Sequence, residues 1–196
     1  MDKDKDKLYS FVFKGLLTEE ALDKTERIKK SKFGNEDFKK LHETLGIEEL
    51  DEEHVIKAKK MAVVYTAICA FENTVREFVS KKLLENKGEN WWQECVSEKI
   101  RTKAESRRDE ENKIRWHTPR GDSIINYTEF GDLISIIRNA DNWGYFEPHI
   151  NSIEWAEQII KTLERSRNVI MHSGELVNQD IERIGMYIRD WINQVG

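Results

Sequence analysis

Residues 63–84, VVYTAICAFENTVREFVSKKLL, decide the fold of this chain. Val64, Ile68, Phe71, Val75 and Phe78 recur at the 3.6-residue period of an α-helix. The pattern extends back to Glu53, and Asn86-Lys87-Gly88 supplies the polar and glycine residues that stop a helix. The spacing therefore predicts a long amphipathic helix over 53–84, whose stripe other helices must cover.

Working outward, Trp91, Trp92, Cys95, Val96 and Ile100 predict a second helix from about Glu89, continuing as a charged rod to about Lys113. Thr118-Pro119-Arg120-Gly121-Asp122 reads as a turn. The segment 127–140 (YTEFGDLISIIRNA) predicts a helix with Thr128 as N-cap, broken by Asn142-Trp143-Gly144. Ser152 is placed to cap a helix through Trp155, Ile159, Leu163 and Ile170 that ends near Ser173-Gly174. Asn178 caps a last helix with Ile181, Ile184, Ile188, Ile192 and Val195 on one face. Before the long helix, Leu8 to Leu17 is short and apolar, and Thr18-Glu19-Glu20-Ala21 reads as an N-cap and first turn. Asn35 and Asp37 open a short helix that Gly46 stops. The expected fold is all-α, an up-and-down bundle over 55–196 with an N-terminal helical extension over 1–54 packed on it.

Composition agrees. Two prolines and ten glycines in 196 residues favour long regular elements, and a 38% hydrophobic share allows a real core. The net charge of −5 excludes a generic basic nucleic-acid coat, although a local contact stays open. Basic residues do gather between Lys99 and Arg120, interleaved with acids, as on a solvated helical face. MDKDKDK has no apolar signal segment behind it, and no apolar stretch approaches membrane-spanning length. A soluble cytoplasmic protein is expected. Cys69 and Cys95 form no CxxC pair, and Cys69 in its apolar run reads as a small core residue. His42, His54, His117 and His149 do not pair with cysteines at ligand spacing, so no metal or cofactor is expected. His42 and His54 fit solvated helix faces, and His149 after Pro148 fits a turn. There is no glycine-rich phosphate loop and no GxSxG elbow.

Two charged residues interrupt the apolar stripes. On a helical wheel Glu72 falls between Met61 and Tyr65, and Arg167 falls on the side of the stripe of Trp155, Ile159, Leu163 and Ile170, next to Leu163. A lone buried charge costs several kcal/mol, so an inward acid and an inward base need partners. The positions predict a Glu72–Arg167 pair across the bundle, with Arg76 as an alternative local partner for Glu72. Asn168 and His172 share another face. Such a pair serves as architecture in one reading and as part of a functional site in the other.

Arg167-Asn168-Val169-Ile170-Met171-His172 supplies the residue types of phosphodiester chemistry. Arginine holds a phosphate in a fixed fork, and histidine moves a proton near neutral pH. The hexapeptide resembles the R-x(4–6)-H signature of the HEPN superfamily, with its polar residue after the arginine. The run at 63–84 resembles the first long HEPN helix, with Glu72 at the position of a recurrent acid. Trp91-Trp92, NYTEFGDLISII at 126–137, Asn142-Trp143 and Phe146 are similar to one branch, which also occurs as the C-terminal domain of a nuclear mRNA quality-control endonuclease. The resemblance covers about residues 55–196.

That resemblance implies a small helical bundle and a metal-independent endoribonuclease, with Arg167 and His172 catalytic, Asn168 supporting and Glu72 an accessory acid. It implies attack by the RNA 2′-hydroxyl on the adjacent phosphate, leaving a 2′,3′-cyclic phosphate and a 5′-hydroxyl. It also implies a homodimer with the site at its interface, and a role in defence, toxin–antitoxin or RNA-processing systems, with an antitoxin or other regulatory partner protein. Candidate RNA contacts are Arg76, Arg115, Trp116 and Arg120. Trp116 and His117 suit either a stack that grips a strand or a buried aromatic beside a turn. A non-catalytic HEPN module that binds RNA, a nucleotide or a partner protein is the alternative, and a plain helical interaction protein is a third reading.

Overall fold

The computed structural model describes Lys14, Thr18 and residues 35–195. The chain divides into two units, residues 1–52 and 53–196. In the first unit, α1 (Asn35–Thr44) is followed by Gly46 with φ 60° and a 3₁₀ turn at Ile47–Glu49. Thr18 is helical, and its hydroxyl donates back to the Lys14 carbonyl at 2.8 Å. An N-cap residue has non-helical backbone angles, so Thr18, itself helical, is not the expected N-cap. The rest of the expected apolar segment and Glu19–Glu20–Ala21 lie outside the described residues.

In the second unit the regular elements are all helices, and the described residues contain no strand. α2 (Glu52–Lys87) is the long helix, and Gly88 ends it with φ 69° in the left-handed region that favours glycine. α3 (Trp91–Cys95) and α4 (Glu98–Lys113) follow. A 3₁₀ turn at Ile124–Tyr127 leads to α5 (Phe130–Arg138) and α6 (Ala140–Phe146). α7 (Ile153–Met171) and α8 (Asn178–Val195) complete the bundle.

The core is built on α2. Met61, Val64, Ile68, Phe71, Val75, Val79 and Leu83 are buried along one face. Phe71 meets Phe130 and Trp191 edge-on, with centroids 6.1 and 5.5 Å away, which ties α5 and α8 to the same stripe. Trp155 of α7 stacks on Trp191 at 5.6 Å and 6°. Each such side chain contributes about 1.5–3 kcal/mol of burial, so this shared stripe is what brings α7 beside α2.

Several boundaries differ from the pattern read in the sequence, each for a long-range reason. The expected rod from Glu89 to Lys113 is two helices. Val96 is extended and buried, and the Cys95 carbonyl freed by the break is taken by Asn142 Nδ2 at 2.8 Å. Asn142 also donates to the Ile136 carbonyl at 2.8 Å and is fully buried inside α6, so Asn142-Trp143-Gly144 is not a breaker. The break falls at Asn139, whose side chain accepts from Asp141 N at 3.1 Å.

Thr128 does not cap α5. Glu129 is the N-cap, and its backbone N–H donates to Asp132 at 2.9 Å. Thr128 is buried instead, its hydroxyl donating to the Ile125 carbonyl at 2.8 Å. Ser152 caps α7 as expected, accepting from Trp155 N at 3.1 Å. On α8, Ile184 and Trp191 are buried, whereas Ile192 is 54% exposed, so tryptophan and not Ile192 completes the inner face. Asn178 is the first residue of α8 rather than its cap, and the Val177 carbonyl accepts the first backbone bonds.

Candidate functional site

Glu72 lies on the inner face of α2 and is 8% exposed. One carboxylate oxygen pairs with Arg76 Nη2, one turn along the same helix. The other lies 3.5 Å from Arg167 Nε on α7. The pair expected from wheel positions therefore forms, and the two proposed partners of Glu72 act together rather than as alternatives.

Arg76 is buried as deeply as Glu72. Its Nη1 donates to the Ile125 carbonyl at 2.5 Å and to Thr128 Oγ1 at 2.7 Å, and its Nη2 donates to the Thr128 carbonyl at 3.1 Å. Arg76, expected as an RNA contact, thus spends most of its donors inside the fold. The guanidinium donates inward to the backbone that precedes α5, and it acts as a positioning group for Glu72. The side chain of Arg167 stays about one-third exposed.

Arg167 opens on a pocket of about 640 Å³ between α2, α7 and the segment before α5. Glu72, Arg76, Arg107, Arg120, Asn126 and Glu129 share its wall, and Cys69 lines it too, so that cysteine is half-buried at a pocket edge rather than in the core. Arg107 was hidden in a charge run that reads as solvated. It is found only once the chain folds, because its Nη1 donates to the Tyr127 carbonyl at 2.9 Å and its Nη2 pairs with Glu129.

Arg120 is fixed by Glu111, with Nε at 2.6 Å and Nη2 at 2.5 Å from Oε1, and it sits 5.5 Å from the centre of the Tyr127 ring. Partial burial pushes the Glu111 carboxyl upward. The hydrogen bonds and charge of Arg120, with His117 nearby, outweigh it and hold its pKa below the usual value. Arg115 is exposed, and Trp116 is 87% exposed, so the buried-aromatic reading of Trp116 does not hold. Trp116 touches the His117 ring edge-on at 5.8 Å.

His172 stands at the C-cap of α7, exposed, with its N–H donating to the Asn168 carbonyl at 3.1 Å. Three contacts hold the turn beyond it. Gly174 N donates to the Val169 carbonyl at 2.8 Å, Lys60 Nζ pairs with Glu175 at 3.1 Å, and Leu176 N lies 3.3 Å from Met61 Sδ. His172 and Asn168 line a groove with Lys161, Glu164 and Arg165, on a different side of α7 from Arg167. In one chain, therefore, Arg167 and His172 front separate concavities. Of the other histidines, His149 closes the turn after α6, donating to the Phe146 carbonyl at 2.8 Å and meeting Phe78 edge-on. Among the described residues no three histidine, cysteine or carboxylate side chains gather as a metal site. No helix among them is long and apolar enough to cross a membrane.

The helical bundle, the inward Glu72–Arg167 pair and a histidine at the end of the same helix are now in place. The family model for Swt1-like HEPN domains matches residues 67–196. The chain belongs to the Swt1-like HEPN family. No curated protein and no solved structure matches it significantly. The HEPN match begins inside α2, shortly before Glu72, and includes every candidate catalytic residue.

Proposed function

We propose that this HEPN protein is a metal-independent endoribonuclease that acts as a homodimer. The observation that carries the reading is the held geometry of Arg167. It pairs at 3.5 Å with buried Glu72, which Arg76 holds in turn, and it lines a pocket shared with Arg76, Arg107 and Arg120. Fixing a cation in advance favours charge that develops on phosphorane oxygens, because no reorganisation is needed at the moment of reaction.

In the proposed reaction the 2′-oxygen bonds to the adjacent phosphorus and the bond from phosphorus to the 5′-oxygen breaks. His172 takes the 2′-hydroxyl proton, and a proton is returned to the departing 5′-oxygen. The products are a 2′,3′-cyclic phosphate and a 5′-hydroxyl, and DNA lacks the nucleophile. Asn168 supports the phosphate beside His172. Arg115, Trp116 and Arg120 contact the strand, with the exposed Trp116 ring as a stacking surface. Two-fold pairing supplies a second motif, so that Arg167 of one copy and His172 of the other serve one phosphate. A defence, toxin–antitoxin or RNA-processing setting fits such a nuclease, with a partner protein restraining it.

The second reading is a non-catalytic HEPN module that binds RNA, a nucleotide or a partner protein. It is favoured by the placement of Arg167 and His172 on separate concavities within one chain. Incubating a mixed single-stranded RNA pool with the wild type, His172→Ala and Arg167→Ala in EDTA separates the two. Cleavage by the wild type alone, with cyclic phosphate ends, supports the nuclease. No cleavage by any of the three supports the binding module.

A further inference from the structure

Along the outer face of α7, Lys161, Arg165, Asn168 and His172 follow one another at intervals of four, three and four residues and line a single groove. This spacing keeps them on one side of the helix, with Arg165 about 10.5 Å of rise before His172. Charge along this stripe is distributed unevenly. Lys161 Nζ is matched by Glu157 Oε1 at 2.5 Å. Glu164, the acid on the groove wall, accepts from Gly131 N at 2.9 Å and so turns its carboxylate toward the start of α5. A Cβ at Gly131 would stand 3.0 Å from that carboxylate, a tight contact that the end of the Glu164 side chain would have to ease. Arg165 is exposed and makes no side-chain ion pair or hydrogen bond among the described residues. It also lines the adjoining groove between α7 and α8, beside Arg183 and Tyr187.

We propose that this stripe is the track for the RNA backbone and that Arg165, rather than Arg167, is the phosphate contact on the face of His172. The inference rests on the ribonuclease reading above and deepens it by naming how the strand is held. The separation of two helical turns places the Arg165 contact on a phosphate neighbouring the one at His172. The uncommitted guanidinium is suited to that work, since a planar fork grips phosphate without first breaking an internal pair. Arg165 is a binding residue in this scheme and takes no part in bond making.

The test is binding of a single-stranded RNA oligonucleotide to His172→Ala, which leaves the strand uncut, read by fluorescence anisotropy over a salt series. Adding Arg165→Ala is expected to weaken binding several-fold at low salt. The slope of log K against log salt should shallow by about 0.7, the value for one phosphate contact on a single strand. Arg165→Lys should restore most of the slope, because a point charge still neutralises a phosphate. Thermal melting confirms that each variant is folded. An unchanged slope and affinity in Arg165→Ala overturns the track while leaving the ribonuclease reading intact. Failure of the His172→Ala protein to bind RNA at any salt overturns both.

Discussion

Arg167 Nε lies 3.5 Å from Glu72 Oε2, and the other oxygen of Glu72 belongs to Arg76. One buried carboxylate thus serves two guanidinium groups that differ in their freedom. Both line the pocket, but Arg76 is buried and bonded to backbone carbonyls, while the Arg167 side chain is about one-third exposed. Architecture and site meet at this carboxylate, and substitutions on its two sides should behave differently.

Glu72→Ala leaves Arg76 buried with its charge unmatched and should cost about 3–5 kcal/mol. Arg167→Ala leaves Glu72 paired with Arg76 and, being partly exposed, should cost less than about 1 kcal/mol. Chemical denaturation of both proteins measures the difference. Equal losses from the two, with no RNA phenotype, would favour a purely architectural pair.

Asn142 carries two backbone carbonyls on one amide in the buried centre of the bundle. Asn142→Ala strands both and should destabilise the fold by about 1–3 kcal/mol for each acceptor left unpaired. Because the amide links the end of α3 to the end of α5, hydrogen exchange should quicken at both places together. A loss confined to α6 would contradict that linkage.

The lowered pKa of Glu111 implies an acid-labile anchor for Arg120. A carboxyl whose folded pKa is depressed contributes stability that is full above its unfolded value and is lost as pH falls through the lowered folded value. Acidification should therefore release Arg120 from Glu111 before the core melts. NMR titration of the Glu111 carboxyl should show the low pKa in the wild type and a rise toward the usual value in Arg120→Gln. A titration unaffected by the substitution would remove Arg120 as the cause.

At Gly174 an added Cβ would stand 2.8 Å from the Val169 carbonyl oxygen, which is backbone and cannot swing away. Gly174→Ala should cost about 1–3 kcal/mol by overpacking and should loosen the turn that carries His172. In the proposed nuclease it lowers the cleavage rate while Arg165-dependent RNA binding is kept. Wild-type cleavage in a protein of wild-type stability would show that the turn does not position His172.

Much of the fold was legible because it is local. The 3.6-residue period of α2, the Ser152 cap of α7 and the glycine stops at Gly46 and Gly88 each depend on side chains within a turn or two. The inward angles of Glu72 and Arg167 were legible for the same reason. Even their pairing could be anticipated, since a buried charge requires a partner. Residues whose role depends on distant chain were misplaced. Thr128 looks like an N-cap until Arg76 comes from α2 to claim it. Asn142 looks like a breaker until the Cys95 and Ile136 carbonyls arrive beside it. Arg107 and Arg165 look like any solvated cation until a pocket or a groove forms around them.

By itself the sequence determined the all-helical class, the stripe of the long helix and the identity of the charged pair, because helical period and the cost of an unmatched charge act at short range or on any fold. Only the tertiary structure decided that Glu72 is shared between two arginines, that Arg76 donates to the backbone before α5, and that Arg167 and His172 face different concavities. Those outcomes depend on which backbone carbonyls and side chains converge in space, and a helical pattern places residues on a face without specifying what that face will meet.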